Sequence, residues 1–311
     1  MKSPYFIGID GGGTNSRLTA IYEDMIVLGR YISGPINFTS EPYDKVYANT
    51  KNLLLGFNAQ TDTRLSDCTS ICVGISDTDI YDSALMLAEI FADIGFFGQL
   101  TVMSDAELVL AAETKGEPGI AIIAGTSSVG FALDHNGDIL RVGGWGHLID
   151  DGGSGYRMGM DAIKAALADF DCRGEKTALT QMITDYLGLE EIDQILEFIY
   201  GENFYKSTIA EIAMLVGKAS INGDAVAHII EIGAADYLIS MARALIQKAR
   251  LSAHKIVLSG NILLHNKNVH ARFCQKIYED FPNMHIVRAS AKPEMGAAYM
   301  AYKYAKNPAK I

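Results

Sequence analysis

Five residues near the start of the chain, Asp10-Gly11-Gly12-Gly13-Thr14, have the makings of a phosphate site. Three successive glycines let the backbone approach a ligand with no Cβ in the way. The consecutive N–H groups of such a turn form a nest for an anion. Asp10 precedes them at the end of an apolar run. It is placed to hold a hydrated divalent cation rather than to touch phosphate. Thr14 offers a hydroxyl to a phosphate oxygen. A plain hairpin would need only one or two glycines. A Walker loop is excluded, because no Gly-Lys-Ser/Thr follows.

Four other stretches carry chemistry. Gly125-Thr126-Ser127-Ser128 is a small-residue turn that could grip phosphates from another side, or be an ordinary tight turn. Ser104-Asp105 falls between a strand and a helix, where an acid faces the crevice beyond the carboxyl end of a sheet. Asp105 there is either the helix N-cap or a base that accepts a proton from a substrate hydroxyl. A long passage, GGWGHLIDDGGSG from Gly143 to Gly155, holds the single tryptophan and reads as a ligand loop. Within it, His147 has no second His at helical spacing, which argues against a metal site. Ser154 or Asp151 is a candidate cap for the helix that follows. Leu258-Ser259-Gly260-Asn261 is small enough to let a flat base lie on the backbone, or is a common strand-to-helix turn.

The elements that position these residues follow one plan used twice. Residues 5–10 form an apolar run, then comes the Gly turn, a second strand at 17–22, and a third at 26–32. After Pro118 the plan returns, with strands at 120–124, 129–133 and 139–142 and an Asn136-Gly137 hairpin signal. Two copies over a hundred residues apart indicate a duplicated α/β domain. Helices are expected at 44–56, 84–93, 106–114, 161–170, 176–187, 208–219, 224–248, 268–280 and 294–304. Strands are expected at 70–75, 100–103, 254–258 and 285–288. Lys115-Gly116-Glu117-Pro118 reads as the domain junction.

Composition narrows the function classes. The 311 residues are 49% hydrophobic, enough for two cores. Lys plus Arg is 26 and Asp plus Glu is 37, so the net charge is 26 − 37 = −11. An acidic chain without a basic block is a poor nucleic-acid binder. Backbone N–H groups and a metal ion can still hold a phosphorylated ligand. Cys68, Cys72, Cys172 and Cys274 read as free, mostly buried thiols rather than disulfides or a zinc knuckle. No apolar run nears the roughly 20 residues of a membrane span, and no signal-peptide core is seen. A cytoplasmic location is the expectation.

On these motifs the chain resembles the sugar kinases of the actin, hexokinase and Hsp70-type ATPase superfamily. More narrowly it resembles the N-acetylglucosamine kinase branch, which also contains BadF/BadG/BcrA/BcrD-type ATPase activators of CoA-ester reductases and dehydratases. The most specific element is GGWGHLIDDGGSGYRMG. The resemblance implies two RNase H-like lobes with an interdomain cleft. Residues 1–116, completed by the C-terminal helix at 296–311, would form one lobe, and residues 117–295 the other. It also implies roles. Gly11, Gly12, Gly13 and Thr14, with Gly125 and Thr126, would bind the phosphates of ATP, and Ala219, Ser259 and Gly260 the rest of the nucleotide. Asn37, Gly144, Trp145, Gly146 and Asp151 would meet the sugar. Asp105 would be the catalytic base, and Asp10 would organise Mg2+.

Three departures stand out. The family usually writes Asp-Glu-Gly-Ser where this chain has Asp151-Gly152-Gly153-Ser154. A carboxylate is thereby lost beside the sugar site, and room is expected for a bulkier substituent. Ser127 replaces the usual Gly, and Ser76-Asp77-Thr78-Asp79 replaces a more Gly-rich stretch. The expected activity is phosphorylation of the 6-hydroxyl of an amino sugar, with N-acetylglucosamine first and glucosamine or N-acetylmuramic acid as alternatives. The expected partner is that small molecule, with neither nucleic acid nor membrane, and a homodimer fits as well. Rival readings are an ATPase activator passing electrons through an iron–sulfur cluster, which needs converging cysteines, and a non-catalytic sugar sensor.

Overall fold

The structure, a computed structural model, describes residues 3–75, 81–201 and 205–307. It divides into two compact units, Met1–Glu117 with Ala289–Ile311, and Pro118–Arg288.

The first unit begins with strands β1 (Tyr5–Gly11), β2 (Ser16–Tyr22) and β3 (Val27–Ser33). Helix α1 (Tyr43–Thr61), β4 (Cys68–Ile75), α2 (Tyr81–Asp93), β5 (Gln99–Ser104) and α3 (Asp105–Thr114) follow. The sheet order is β3-β2-β1-β4-β5. β1 pairs antiparallel with β2 and parallel with β4. A central strand buried on both faces should be apolar throughout, and in β1 only Asp10 is not fully buried. Tyr5, Ile7 and Ile9 join one core with Leu53, Leu54 and Phe57 of α1 and Ile90 and Phe91 of α2.

The second unit repeats the arrangement. β6 (Gly119–Ala124), β7 (Ser128–Leu133) and β8 (Ile139–Gly143) are followed by the helices α4 (Gly155–Phe170), α5 (Leu179–Leu187), α6 (Ile195–Tyr200), α7 (Lys206–Glu211), α8 (Ala213–Ile221) and α9 (Ala225–Ala249). Then come β9 (Lys255–Ser259), α10 (Asn261–His265), α11 (Lys267–Asp280) and β10 (His285–Arg288). The sheet runs β10-β9-β6-β7-β8, with the same strand directions as the first. The last helix, α12 (Pro293–Lys306), returns to the first unit. It lies so close to β1 that a Cβ on Gly8 would sit 2.0 Å from the Ala298 nitrogen.

Two expectations need correction. The helix expected over 161–170 starts earlier, at Gly155, and of the two candidate caps Ser154 is the one that caps it, its hydroxyl accepting the Arg157 N–H at 3.0 Å. The helix expected over 208–219 is two helices, α7 and α8, separated at Ile212. The short helices α6 and α10 give no period long enough to read. The stretch 76–79 lies outside the described residues. Among the described residues no helix is long and apolar enough to cross a membrane.

Candidate functional site

In the first unit, strand register assembles the site. Gly11 of β1 pairs with Ile75 of β4, and Ile75 pairs with Ser104 of β5. The carboxyl ends of three parallel strands therefore stop at one edge. The Gly turn leaves that edge after Gly11, and Asp105 follows Ser104 there. Asp105 is not the cap of α3. Ser104 is: its hydroxyl accepts the Glu107 N–H at 3.2 Å, and the Glu107 carboxylate accepts the Ser104 N–H at 2.8 Å. Asp105 is the first helical residue and is exposed. The loop carrying Asn37 meets the same edge, since a Cβ on Gly11 would lie 3.2 Å from the Ile36 carbonyl. Asn37 is buried, and its Oδ1 accepts the Thr39 N–H at 2.8 Å, which fixes the amide.

Burial, followed by the negative charge of Glu294, pushes the Asp10 carboxyl above its ordinary value. Asp105 adds to the effect, and Arg17, 3.7 Å away, opposes it. Crowded, half-desolvated carboxylates of this kind are relieved by a divalent cation. Among the described residues no three His, Cys, Asp or Glu side chains converge to hold a metal. Mg2+ fits here in the manner usual for it, held by one or two carboxylates with water and substrate phosphate.

In the second unit, the turn at 125–128 is stitched to the Gly-rich passage. The N–H groups of Gly155 and Tyr156 donate to the carbonyls of Gly125 and Thr126, at 2.7 and 3.2 Å. Asp151 is buried, and its Oδ1 accepts the Ser128 N–H at 2.7 Å. Its Oδ2 pairs with Lys206 at 3.0 Å, and the Lys206 ammonium also donates to the Ser127 hydroxyl at 2.6 Å. Both Asp151 oxygens are thus engaged inside the unit. Lys206 comes from α7, 55 positions further on, and nothing local in the sequence singles it out. Ser127, a departure from the family pattern, is one of its partners.

The room expected at Gly152 is not there. A Cβ on Gly152 would lie 2.3 to 2.5 Å from three atoms of the Tyr237 ring. α9 brings that ring in and turns its hydroxyl to donate to Asp150. A carboxylate therefore does sit beside this passage, two residues before the usual place. Trp145 is 65% exposed, with the Arg141 guanidinium 5.4 Å from its ring. Gly144 and Gly146 flank it, both with positive φ. The His147 ring packs edge-on to Tyr156.

A cavity of about 560 Å³ opens beside Gly125 and Thr126 and runs along α8 to Asn261 and Ile262. Gly260 packs against Gly125 of its lining, since a Cβ there would sit 2.7 Å from the Gly125 nitrogen. Ser259 ends β9 directly before it. Ala219, expected on the nucleotide side, is buried in the core. α8 presents Met214, Gly217 and Lys218 to the cavity instead. Cys68 and Cys72 are fully buried in the first unit, and burial pushes both thiols well up. Cys172 is exposed.

A profile of the BadF/BadG/BcrA/BcrD ATPase family matches residues 7–301. The chain belongs to that family. An N-acetylmuramic acid/N-acetylglucosamine kinase of Clostridium acetobutylicum is 32% identical over 299 residues, 96% of this chain and 98% of the relative. An N-acetyl-D-glucosamine kinase of Dictyostelium discoideum is 28% identical over 314 residues, 97% of this chain and 98% of the relative. A solved structure of a candidate N-acetylglucosamine kinase from Chromobacterium violaceum superposes with a TM-score of 0.68 at 22% identity, covering 96% of this chain and 99% of that one. That likeness shows a shared fold. The twin sheets, each with three antiparallel strands followed by two parallel ones, are the RNase H-like plan of the sugar kinases.

Proposed function

We propose that this protein is an ATP-dependent kinase that phosphorylates the 6-hydroxyl of an amino sugar, with N-acetylglucosamine as the first candidate. The supporting observation is the strand register that brings the Asp10 turn, the Asn37 loop and Asp105 to one sheet edge. The two curated relatives with near-complete coverage are both named as kinases of N-acetylated amino sugars.

In this reading the first unit supplies the acceptor chemistry. Asp105 accepts the proton of the sugar hydroxyl as phosphorus is attacked. It stands at the first turn of α3, with the capping work done by its neighbour, so its carboxylate is positioned by a rigid element. Asn37 orients the sugar through an amide locked by Thr39. Asp10 would hold Mg2+, which when bound would supply positive charge for the transferring phosphate. The N–H groups of Gly11, Gly12 and Gly13 and the Thr14 hydroxyl bind phosphate oxygens.

The second unit carries nucleotide-binding residues of its own. Gly125 and Thr126 bind phosphate, and the cavity at Gly260 takes the nucleoside. Gly144, Trp145 and Gly146 meet the sugar. Asp151, spent on Ser128 and Lys206, sets the passage against the phosphate turn and so acts on the sugar mainly through placement. The test is ADP release coupled to an indicator reaction across N-acetylglucosamine, N-acetylmuramic acid, glucosamine and glucose. A site built to pair hydroxyls should reject analogues lacking one by about 5- to 150-fold in kcat/KM. ADP release that does not depend on any of the four sugars would refute the kinase reading.

A further inference from the structure

The cavity beside Gly125 holds a group that phosphate binding does not explain. Glu231 lines it from the second turn of α9, on a face otherwise made of Ala227, Ala234, Ala235 and Leu238. Its side chain is 2% exposed. A carboxylate in such a place costs stability unless it is hydrogen-bonded. Here both oxygens are served by amides rather than by a lysine or arginine. Oε1 accepts from Asn266 Nδ2 at 2.7 Å, and Oε2 accepts from Asn268 Nδ2 at 2.6 Å. Its one ion-pair neighbour among the described residues is His228, at 3.8 Å. The two amides are held in turn: Asn266 Oδ1 caps α11 through the Val269 N–H, and Asn268 also donates to Ser220.

Two amide donors do not exhaust a carboxylate, which has about four lone-pair sites. The open side is the cavity. On α8 the residue facing this pair is Gly217, where a Cβ would come within 3.5 Å of Asn266 Nδ2 and 3.8 Å of Glu231 Oε1. Glycine therefore adds no side chain over the carboxylate on that side. Met214, Ile221 and Ile262 supply apolar wall around it. A phosphate turn, an apolar wall and a prepaid acceptor within one cavity match a nucleoside phosphate whose nucleoside donates hydrogen bonds.

We propose that Glu231, fixed by Asn266 and Asn268, is a selectivity residue for the phosphoryl donor and accepts hydrogen bonds from its nucleoside. Resting on the reading of this cavity as the nucleotide site, the assignment adds a residue that neither motif in the sequence marked. The donors are either the ribose hydroxyls or the amino group of the base, and both are a neutral N–H or O–H presented to a buried charge.

The experiment is calorimetric binding of four probes to the whole protein: ADP, 2′-deoxy-ADP, 3′-deoxy-ADP and purine riboside 5′-diphosphate, which lacks the amino group. Loss of a hydrogen bond to a charged acceptor should weaken the affected probe about tenfold or more relative to ADP. Weakening of the deoxy probes assigns the ribose, and weakening of the purine riboside assigns the base. In Glu231→Gln the gap should close to within about threefold. Gly217→Ala is the second variant, because its methyl lands at ordinary contact distance over the pair and leaves the network in place. It should close the same gap even if Glu231→Gln fails to fold. Four equal affinities in the parent, or a gap that survives in Gly217→Ala and in any folded Glu231→Gln, would overturn the proposal. Because no sugar is present, these results are independent of whether the kinase reading holds. Failure of ADP itself to bind would remove the nucleotide assignment of the cavity and this inference with it.

Discussion

Gly152→Ala adds a single methyl group, and the structure sets its cost. The new Cβ would stand 2.3 to 2.5 Å from three atoms of the Tyr237 ring. Carbon contacts are comfortable at about 3.5–4.0 Å, so the ring must retreat by about 1 Å or more. Overpacking of this kind costs about 1–3 kcal/mol. The ring is also tethered by its hydroxyl, which donates to Asp150. Losing a hydrogen bond to a charged group costs about 1.5–3 kcal/mol. Stiffening the unfolded chain returns about 0.4–1 kcal/mol. The costs overlap, since one movement relieves the clash and breaks the bond, so a net loss of about 2–4 kcal/mol is expected. At about 2–4 °C per kcal/mol, Tm should fall by roughly 4–16 °C. The assay is a thermal scan of four proteins: the parent, Gly152→Ala, Tyr237→Ala and the double variant. With the ring removed, the added methyl should cost under about 0.5 kcal/mol, giving a coupling of about 1.5–4 kcal/mol. An unchanged Tm in Gly152→Ala, or the same penalty in both backgrounds, would refute the claim that Tyr237 fills the place of the family's usual carboxylate.

Asp105→Asn should lower kcat by about 100-fold or more while ADP affinity stays within twofold, because the cap belongs to Ser104 and the fold is untouched; near-normal turnover ends the base assignment. Asp10→Asn should abolish turnover and raise Tm at pH 7 in metal-free buffer. The native carboxyl is held above its ordinary 3.8, so native stability falls as pH rises through that raised value, and the gain in the variant should vanish below about pH 3.8. No gain at pH 7 would show that Asp10 is not strained. Lys206→Met leaves the buried Asp151 carboxylate without its cation and should cost about 2–4 kcal/mol by denaturant titration; a smaller loss than about 0.5 kcal/mol would mean the pair is dispensable. With a thiol reagent, Cys172 should react at once, and Cys68 and Cys72 only on unfolding. Immediate reaction of all four thiols would contradict the burial of β4.

The duplicated plan, the two small-residue turns, the acid at the end of β5 and the Gly-rich passage were all legible in the chain. Each is a local pattern: alternation gives a strand, glycines give a turn, and an acid after a strand marks a sheet edge. Sequence order alone was enough to place Asp105 at the junction of β5 and α3, but not to say whether it caps the helix. That depended on which oxygen, Ser104 or Asp105, reaches the Glu107 N–H, a matter of a single rotamer. Ala219 fell on the expected helix, but helical phase turned it to the core and gave the cavity to Gly217 and Lys218. Gly152 reads as an open space in sequence because a missing side chain says nothing about its neighbour; Tyr237, 85 positions away, fills it. Lys206 and Glu231 carry no local signature either, since a lysine or a glutamate on a helix is ordinarily a solvated residue. Long-range packing alone put the first against Asp151 and the second between Asn266 and Asn268. The chain itself determined which elements form and where the glycine-rich turns lie, because those follow from backbone preferences within a few residues. The partners of the buried charges were decided by the tertiary structure, because only packing fixes which side chains lose water together.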